Sequence, residues 1–343
     1  MTSSDTSVGI VSTGIYVPQS IMTAAEIAEQ SEIPEWVIRD KFGIEQKHVP
    51  GPDDHTNQMA IWAAQDCLSK CDIPSEEIDL VLCTTEEWKE YLLWTAGIKL
   101  AWEIGARRAW ALDMHMRCGG TIAALKIARD MMMADPETNT VLIAGGYRNC
   151  DLINLKNSRT SFMFNLAAGA GAMLLRKNWP RNQVLGAHLL ADGMMSEHVI
   201  VPASGTRQFP TDQAVADGLF YLDLVEPEAM KDRLNAVSMD NWMHCIDRAL
   251  EKSGYTRQDA GYLNVLHMKR SAHLDMLQRL GLTEEQSVYL SQYGHTGEQD
   301  AMFSIVEGLR QGRLKDGDLM VIVAAGIGYA WGAACVKWGP IGG

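Results

Sequence analysis

Short apolar runs alternate along this chain with longer stretches whose apolar residues recur three and four positions apart. That alternation predicts buried strands, each followed by a helix packed on one face. Val8-Gly9-Ile10-Val11 opens a strand that a turn at Tyr16-Val17-Pro18 ends, and residues 22–48 read as short helices around Trp36. A helix over about 56–71 leads through Asp72-Ile73-Pro74 to a strand at Leu80-Val81-Leu82-Cys83-Thr84. A helix near 91–104 and a strand at 109–114 follow, then a helix from Cys118 to about 133 and a buried strand at Val141–Gly146. Phe162 to Leu175 reads as a glycine-punctuated strand pair or sheet edge.

The second half repeats the scheme after the polar turn at Arg176–Arg181. Strands near 184–191 and 197–201 precede a helical region at about 226–253, and a strand at Tyr262–Leu266 ends at His267. A helix through Leu280, a strand at 287–290 ending near Tyr293-Gly294-His295-Thr296, and a helix at about 298–311 lead to the closing apolar run, Leu319–Val336. This is a layered α/β pattern in two halves, 1–178 and 179–343, with polar residues at strand C-termini, where open α/β sheets build their sites.

With 343 residues and 47 % hydrophobic content the chain buries a large core. A net charge of −13 speaks against a nucleic-acid partner, which needs a basic face. No apolar run approaches the ~20 residues that span a bilayer, so no membrane segment is expected. Seven scattered cysteines and the lack of an opening secretory signal lead us to expect a reduced, cytoplasmic setting.

One cysteine stands apart. An apolar strand runs towards Cys118 and a helix follows, placing the thiol among N–H groups at a helix N-terminus, where thiolate is favoured. Gly119 and Gly120 leave room for a substrate, so Cys118 is the candidate nucleophile. Cys67, Cys71, Cys83, Cys150, Cys245 and Cys335 read as core filling, and no zinc spacing is completed.

Gly14-Ile15-Tyr16-Val17-Pro18, Pro34-Glu35-Trp36, Phe42-Gly43-Ile44, Cys118, Gly169-Ala170-Gly171-Ala172, His267, Tyr293-Gly294-His295-Thr296 and the Gly326–Gly332 turn occur in one order over nearly the whole chain. Together they resemble the ketoacyl synthase III branch of the thiolase superfamily. The resemblance implies a five-layer αβαβα thiolase fold, a homodimer, and acyl transfer through a thioester on Cys118. It implies a coenzyme A thioester as substrate with no cofactor, an acyl carrier protein as a further candidate partner, and His267 as donor to the thioester carbonyl. The backbone N–H groups of Cys118 and Ile327 would form the oxyanion hole. Trp36 and Arg159 match the positions that sandwich the adenine of coenzyme A.

The chain departs from the family in three places. His295 stands where an Asn is usual, giving a Cys-His-His set like that of the elongating ketoacyl synthases. Glu86 falls where hydroxymethylglutaryl-CoA synthase carries its general base. Met268-Lys269-Arg270 replaces the usual residues after His267. The expected reaction is therefore a Claisen-type, decarboxylative condensation of the acyl group with a malonyl-type or other carbanion donor. One alternative is a non-decarboxylating condensation with Glu86 as base. Another is a non-catalytic partner subunit of a thiolase-fold complex.

Overall fold

Uninterrupted apolar runs become the buried strands, and the stretches with polar punctuation become helices. A computed structural model describes residues 6–341. Its N-terminal half runs β1 (Val8–Tyr16), β2 (Ile21–Thr23), α1 (Ala24–Ser31), β3 (Gln46–His48), α2 (Thr56–Leu68), β4 (Leu80–Cys83), α3 (Ala96–Glu103), β5 (Trp110–Asp113), α4 (Gly120–Ala134), β6 (Thr140–Tyr147) and β7 (Gly169–Lys177). The C-terminal half runs β8 (Arg181–Ala191), β9 (Val199–Ile200), α5 (Asp212–Ala216), β10 (Asp223–Leu224), α6 (Pro227–Ser253), α7 (Arg270–Leu280, after β11, Ala260–Val265), α8 (Asp300–Arg310), β12 (Leu319–Gly326) and β13 (Ala330–Pro340).

The two halves share one hydrogen-bonding scheme. In the first, the order is β5-β4-β6-β7-β1, with β4 parallel to β5 and β6 and the remaining pairs antiparallel. In the second, β11 is parallel to β12, and β12-β13-β8 continue antiparallel. A single register pair, Gly9 with Gln183, joins β1 to β8 and so links the halves into one nine-stranded array.

Three apolar cores fill the spaces between five layers. Met59, Ala63 and Leu100 pack α2 and α3 on the outer face of the first half-sheet. Ile122, Leu125, Met302 and Ile305 place α4 and α8 between the two half-sheets. Ile246, Leu250 and Met276 cover the outer face of the second with α6 and α7. Burying each such Leu, Ile or Met stabilises the fold by roughly 1.5–3 kcal/mol before entropy is counted. The glycine run of β7 serves this layering: a Cβ on Gly171 would lie 2.8 Å from Met302 Cε, so α8 sits against bare backbone there.

Several expected elements are shorter than their apolar runs. The strand predicted at 287–290 makes only one bridge, Ser287 to Leu263, beside β11. The strand predicted at 197–201 shrinks to β9, paired only with β10. The strand predicted at 109–114 is β5, Trp110–Asp113, and its last carboxylate accepts from the Ala96 and Gly97 N–H groups at the start of α3 (3.0 and 2.7 Å).

Candidate active site

Four residues separate the end of β5 from Cys118, and the backbone there is bent sharply. Arg117 has φ of 50°, a left-handed conformation rare for a residue with a side chain. The N–H groups of Gly119 and Gly120 turn back to the carbonyls of Met116 and Arg117 (3.1 and 2.8 Å). Those two donors are therefore spent within the turn, so they are not among the free N–H groups expected around the thiol at the helix N-terminus. Gly326, entering the β12–β13 turn, presses on the same segment. A Cβ there would lie 2.5 Å from the Met116 oxygen and 2.9 Å from Arg117 Cβ, so only glycine fits.

His295 meets the sulfur. Its Nε2 lies 3.1 Å from Cys118 Sγ, and its Nδ1 donates to Asp300 Oδ2 at 2.6 Å. Asp300, the first residue of α8, is 1 % exposed and fully engaged. Its Oδ2 also accepts from the His267 N–H, and its Oδ1 accepts from the Thr296 N–H and hydroxyl, each at 2.7 Å. Burial pushes His295 down, but the Asp300 carboxylate and the Cys118 sulfur outweigh it and hold the imidazole well above its usual range. Burial opposes ionisation of Asp300, yet His295 and three further donors keep its carboxyl below the usual value. Sulfur, imidazole and carboxylate stand in a hydrogen-bonded series with the geometry that a nucleophile, a base and its orienting group require.

His267 is brought close but serves differently. Asn165 Nδ2 donates to its Nδ1 at 3.0 Å, which assigns the proton to Nε2, and Nε2–H donates to the Gly43 carbonyl at 3.0 Å. Burial pushes this histidine down to about 4, so it is neutral. Cys118, His267 and His295 all line one cavity of about 620 Å³, together with Ile327 and Arg159. Its walls are largely apolar, including Phe42, Phe162, Trp242 and Tyr329, and Lys231 and Lys269 join Arg159 among its lining residues.

Trp36 is 55 % exposed and does not line the cavity; the π-helical turn Val37–Lys41 begins just after it. Arg159 lines the cavity, bonded to the Leu224 carbonyl and 3.6 Å from Asp223. Glu86 lies beneath the site, outside the cavity lining and 3 % exposed. Its Oε2 accepts from Asn149 at 2.7 Å and lies 3.6 Å from Arg117, while Oε1 has no partner among the described residues. Burial pushes its carboxyl up, against the pull of Arg117 and Asn149.

Asp300, Asn165 and Glu298 have no counterpart among the residues picked out from sequence. Asp300 hides because an acidic residue opening a helix reads as an ordinary dipole partner; the five-residue step from His295 was the available signal. Glu298 is fully buried, and burial together with Glu86 pushes its carboxyl well up. Among the described residues, no group of three His, Cys, Asp or Glu side chains could hold a metal, and no helix is long and apolar enough to cross a membrane.

Comparison with known proteins agrees with this fold. Residues 112–193 match the family model described as 3-oxoacyl-[acyl-carrier-protein] synthase III, and residues 250–338 match its C-terminal counterpart. Beta-ketoacyl-[acyl-carrier-protein] synthase III of Symbiobacterium thermophilum is 29% identical over 334 residues, covering 97% of this chain and 98% of that protein. The solved structure of the synthase III from Thermus thermophilus superposes with a TM-score of 0.80 at 25% identity, over 97% of this chain and 99% of that one. The priming beta-ketosynthase of the R1128 polyketide pathway shares the fold, with a TM-score of 0.82 at 22% identity over 97% of each chain. The fold is the thiolase fold, and the chain belongs to the ketoacyl synthase III branch of that superfamily as an acyltransferase of the condensing type.

Proposed function

We propose that this protein takes an acyl group from a coenzyme A thioester onto Cys118 and passes it to a malonyl-type donor in a decarboxylative Claisen condensation. The observation that carries the first half is the Cys118–His295–Asp300 series at the foot of the cavity. His295 takes the thiol proton, the sulfur attacks the thioester carbonyl, and the imidazolium returns the proton to the departing thiol. The N–H groups of Cys118 and Ile327 are our oxyanion donors, since Gly326 brings the β12–β13 turn against the nucleophile segment. Arg159, Lys231 and Lys269 supply local positive charge for a pantetheine phosphate in an otherwise acidic protein. The relatives' names support the condensation and leave an acyl carrier protein as a second carrier.

A second reading of the later half-reaction is favoured by the hydrogen bonds themselves. A carbanion needs free donors for its enolate oxygen. Here the Nε2–H of His267 is spent on Gly43, and His295 is built as a base through Asp300. That arrangement suits an acceptor with an O–H or N–H, deprotonated by His295 as it attacks the acyl-cysteine, with the thiolate as leaving group. The Glu86 reading has less support, because Glu86 does not line the cavity.

The test starts with acetyl-CoA and malonyl-CoA. We expect an acyl mass gain on the Cys118 peptide, and its absence with both thioesters would remove the proposal. Release of labelled CO₂ from the malonyl carboxyl, with a β-keto product, supports condensation. Transfer of the acetyl group from Cys118 to an added alcohol or amine as an ester or amide, with no CO₂ released from malonyl-CoA, supports the second reading.

The same reading includes halves at 1–178 and 179–343, whose boundary falls in the turn between β7 and β8. It includes a cytoplasmic setting, in keeping with seven free cysteines. It also includes a homodimer through β5, an edge strand whose Trp110 is 51 % exposed near the exposed Tyr91, Leu92 and Trp102.

A further inference from the structure

Lys47, at the centre of β3, is only 2 % exposed and lies outside the catalytic cavity. Its Nζ donates to the carbonyls of Phe164 and Leu166 at 2.8 and 3.0 Å. Those carbonyls flank Asn165, and Asn165 serves both histidines. Its side chain donates to His267 Nδ1 at 3.0 Å and to the His267 carbonyl at 3.3 Å. Its backbone oxygen accepts from the His295 N–H at 2.8 Å, and the His295 carbonyl accepts from the Ala167 N–H at 2.9 Å.

Lys47 also abuts the turn that delivers His295. Gly294 has φ of 79°, and a Cβ there would lie 2.7 Å from Lys47 Cβ and 2.8 Å from the Asn165 oxygen. On either side of Lys47, Gln46 and His48 donate to the carbonyls of Ser291 and Tyr293 at 3.2 and 3.1 Å. Two segments distant in sequence therefore meet at Lys47, Phe164–Leu166 on its ammonium group and 291–294 on its Cβ and the backbone beside it. A buried charge is costly, and an alkyl chain could fill the same space without that cost, so its hydrogen bonds need a purpose.

We propose that Lys47 is a positioning residue for both imidazoles: it holds the Phe164–Leu166 turn, and Asn165 in that turn sets the ring of His267 and the backbone of His295. The inference rests on Cys118 and His295 being the reacting pair. Burial pushes the Lys47 ammonium down to about 8, with Cys150 opposing the shift. On the open side, Arg148, Asp151 and Lys156 share with Lys47 and Cys150 a separate cavity of about 470 Å³; on the other, its neighbours are backbone carbonyls and Gly294. As pH rises through about 8 the ammonium loses its charge and its two bonds weaken. Arginine at this position would stay charged.

The experiment measures acetyl-CoA loading of Cys118 from pH 6.5 to 9.5 in the wild type, Lys47→Met and Lys47→Arg. At pH 7, Lys47→Met loads about tenfold or more slowly, while the acetyl-CoA concentration for half-maximal rate moves less than about threefold. The wild-type rate falls above about pH 8, and Lys47→Arg keeps its pH 7 rate to higher pH. A Lys47→Met protein with the wild-type rate overturns the inference. So does a Lys47→Arg profile superposing on the wild type, which decides the matter if the Met variant does not fold. Iodoacetamide labelling separates the two levels: Cys118 no faster than the other cysteines in the wild type overturns the site and the inference together. A fast Cys118 indifferent to position 47 overturns the inference alone.

Discussion

At the residue scale, one carboxylate decides what kind of base His295 is. Without Asp300, a buried imidazole against a thiol would be neutral with either nitrogen protonated. With Asp300 accepting from Nδ1 at 2.6 Å, the tautomer is set and Nε2 faces the sulfur. Asp300→Asn offers an amide that can turn its N–H to Nδ1 and reverse the tautomer, and we expect loading of Cys118 to slow about 10³–10⁴-fold. The folded amount of protein should change far less, which circular dichroism at 25 °C checks. The pH dependence of stability carries a sign as well. His295 is held above its unfolded value, so its contribution is complete below about pH 6.5 and is lost as pH rises through its folded value. Urea midpoints of wild type and His295→Asn should therefore converge as the solution is made alkaline.

At the element scale, the nucleophile depends on two turns pressed together. The Arg117 turn is held in its left-handed conformation by the β12–β13 turn, and the contact leaves no space for a side chain at Gly326. Gly326→Ala must move one turn or the other. We expect about 1–3 kcal/mol of destabilisation from overpacking, read from denaturant midpoints. Loading of Cys118 should fall about 10²-fold, since a shift near 1 Å in a reacting group costs that much. Strand and helix positions were legible because their apolar periods are long and uninterrupted, as in β6 and α8. The failures came where a polar side chain spent itself on a neighbour. Asp113, the last residue of β5, turns its carboxylate to the start of α3, and the run at 287–290 makes a single bridge.

At the scale of the whole molecule, the two half-sheets lie on either side of the buried helices α4 and α8, and the segments that follow β5 and β11 reach one cavity. Cys118 comes from one proposed half and His267, His295 and Asp300 from the other, so the candidate site needs both. The unpaired edge of β5, with Trp110 half exposed, predicts association. Sedimentation should show a particle of twice 37.9 kDa, and Trp110→Asp should shift it towards the single chain.

The local pattern determined by itself the layered α/β architecture and the candidacy of Cys118, which follow from hydrophobic period and from a thiol placed before a helix; His267 and His295 were named by the ordered motifs that resemble the ketoacyl synthase III branch. Tertiary structure alone decided what each histidine does. His295 has Asp300 behind it and the sulfur in front, the setting we propose for a base; His267 is tied to Gly43, and Trp36 is half exposed. A hydrogen bond between groups far apart in the chain depends on distances of tenths of an ångström that only packing sets, so sequence can name the participants while the fold assigns their parts.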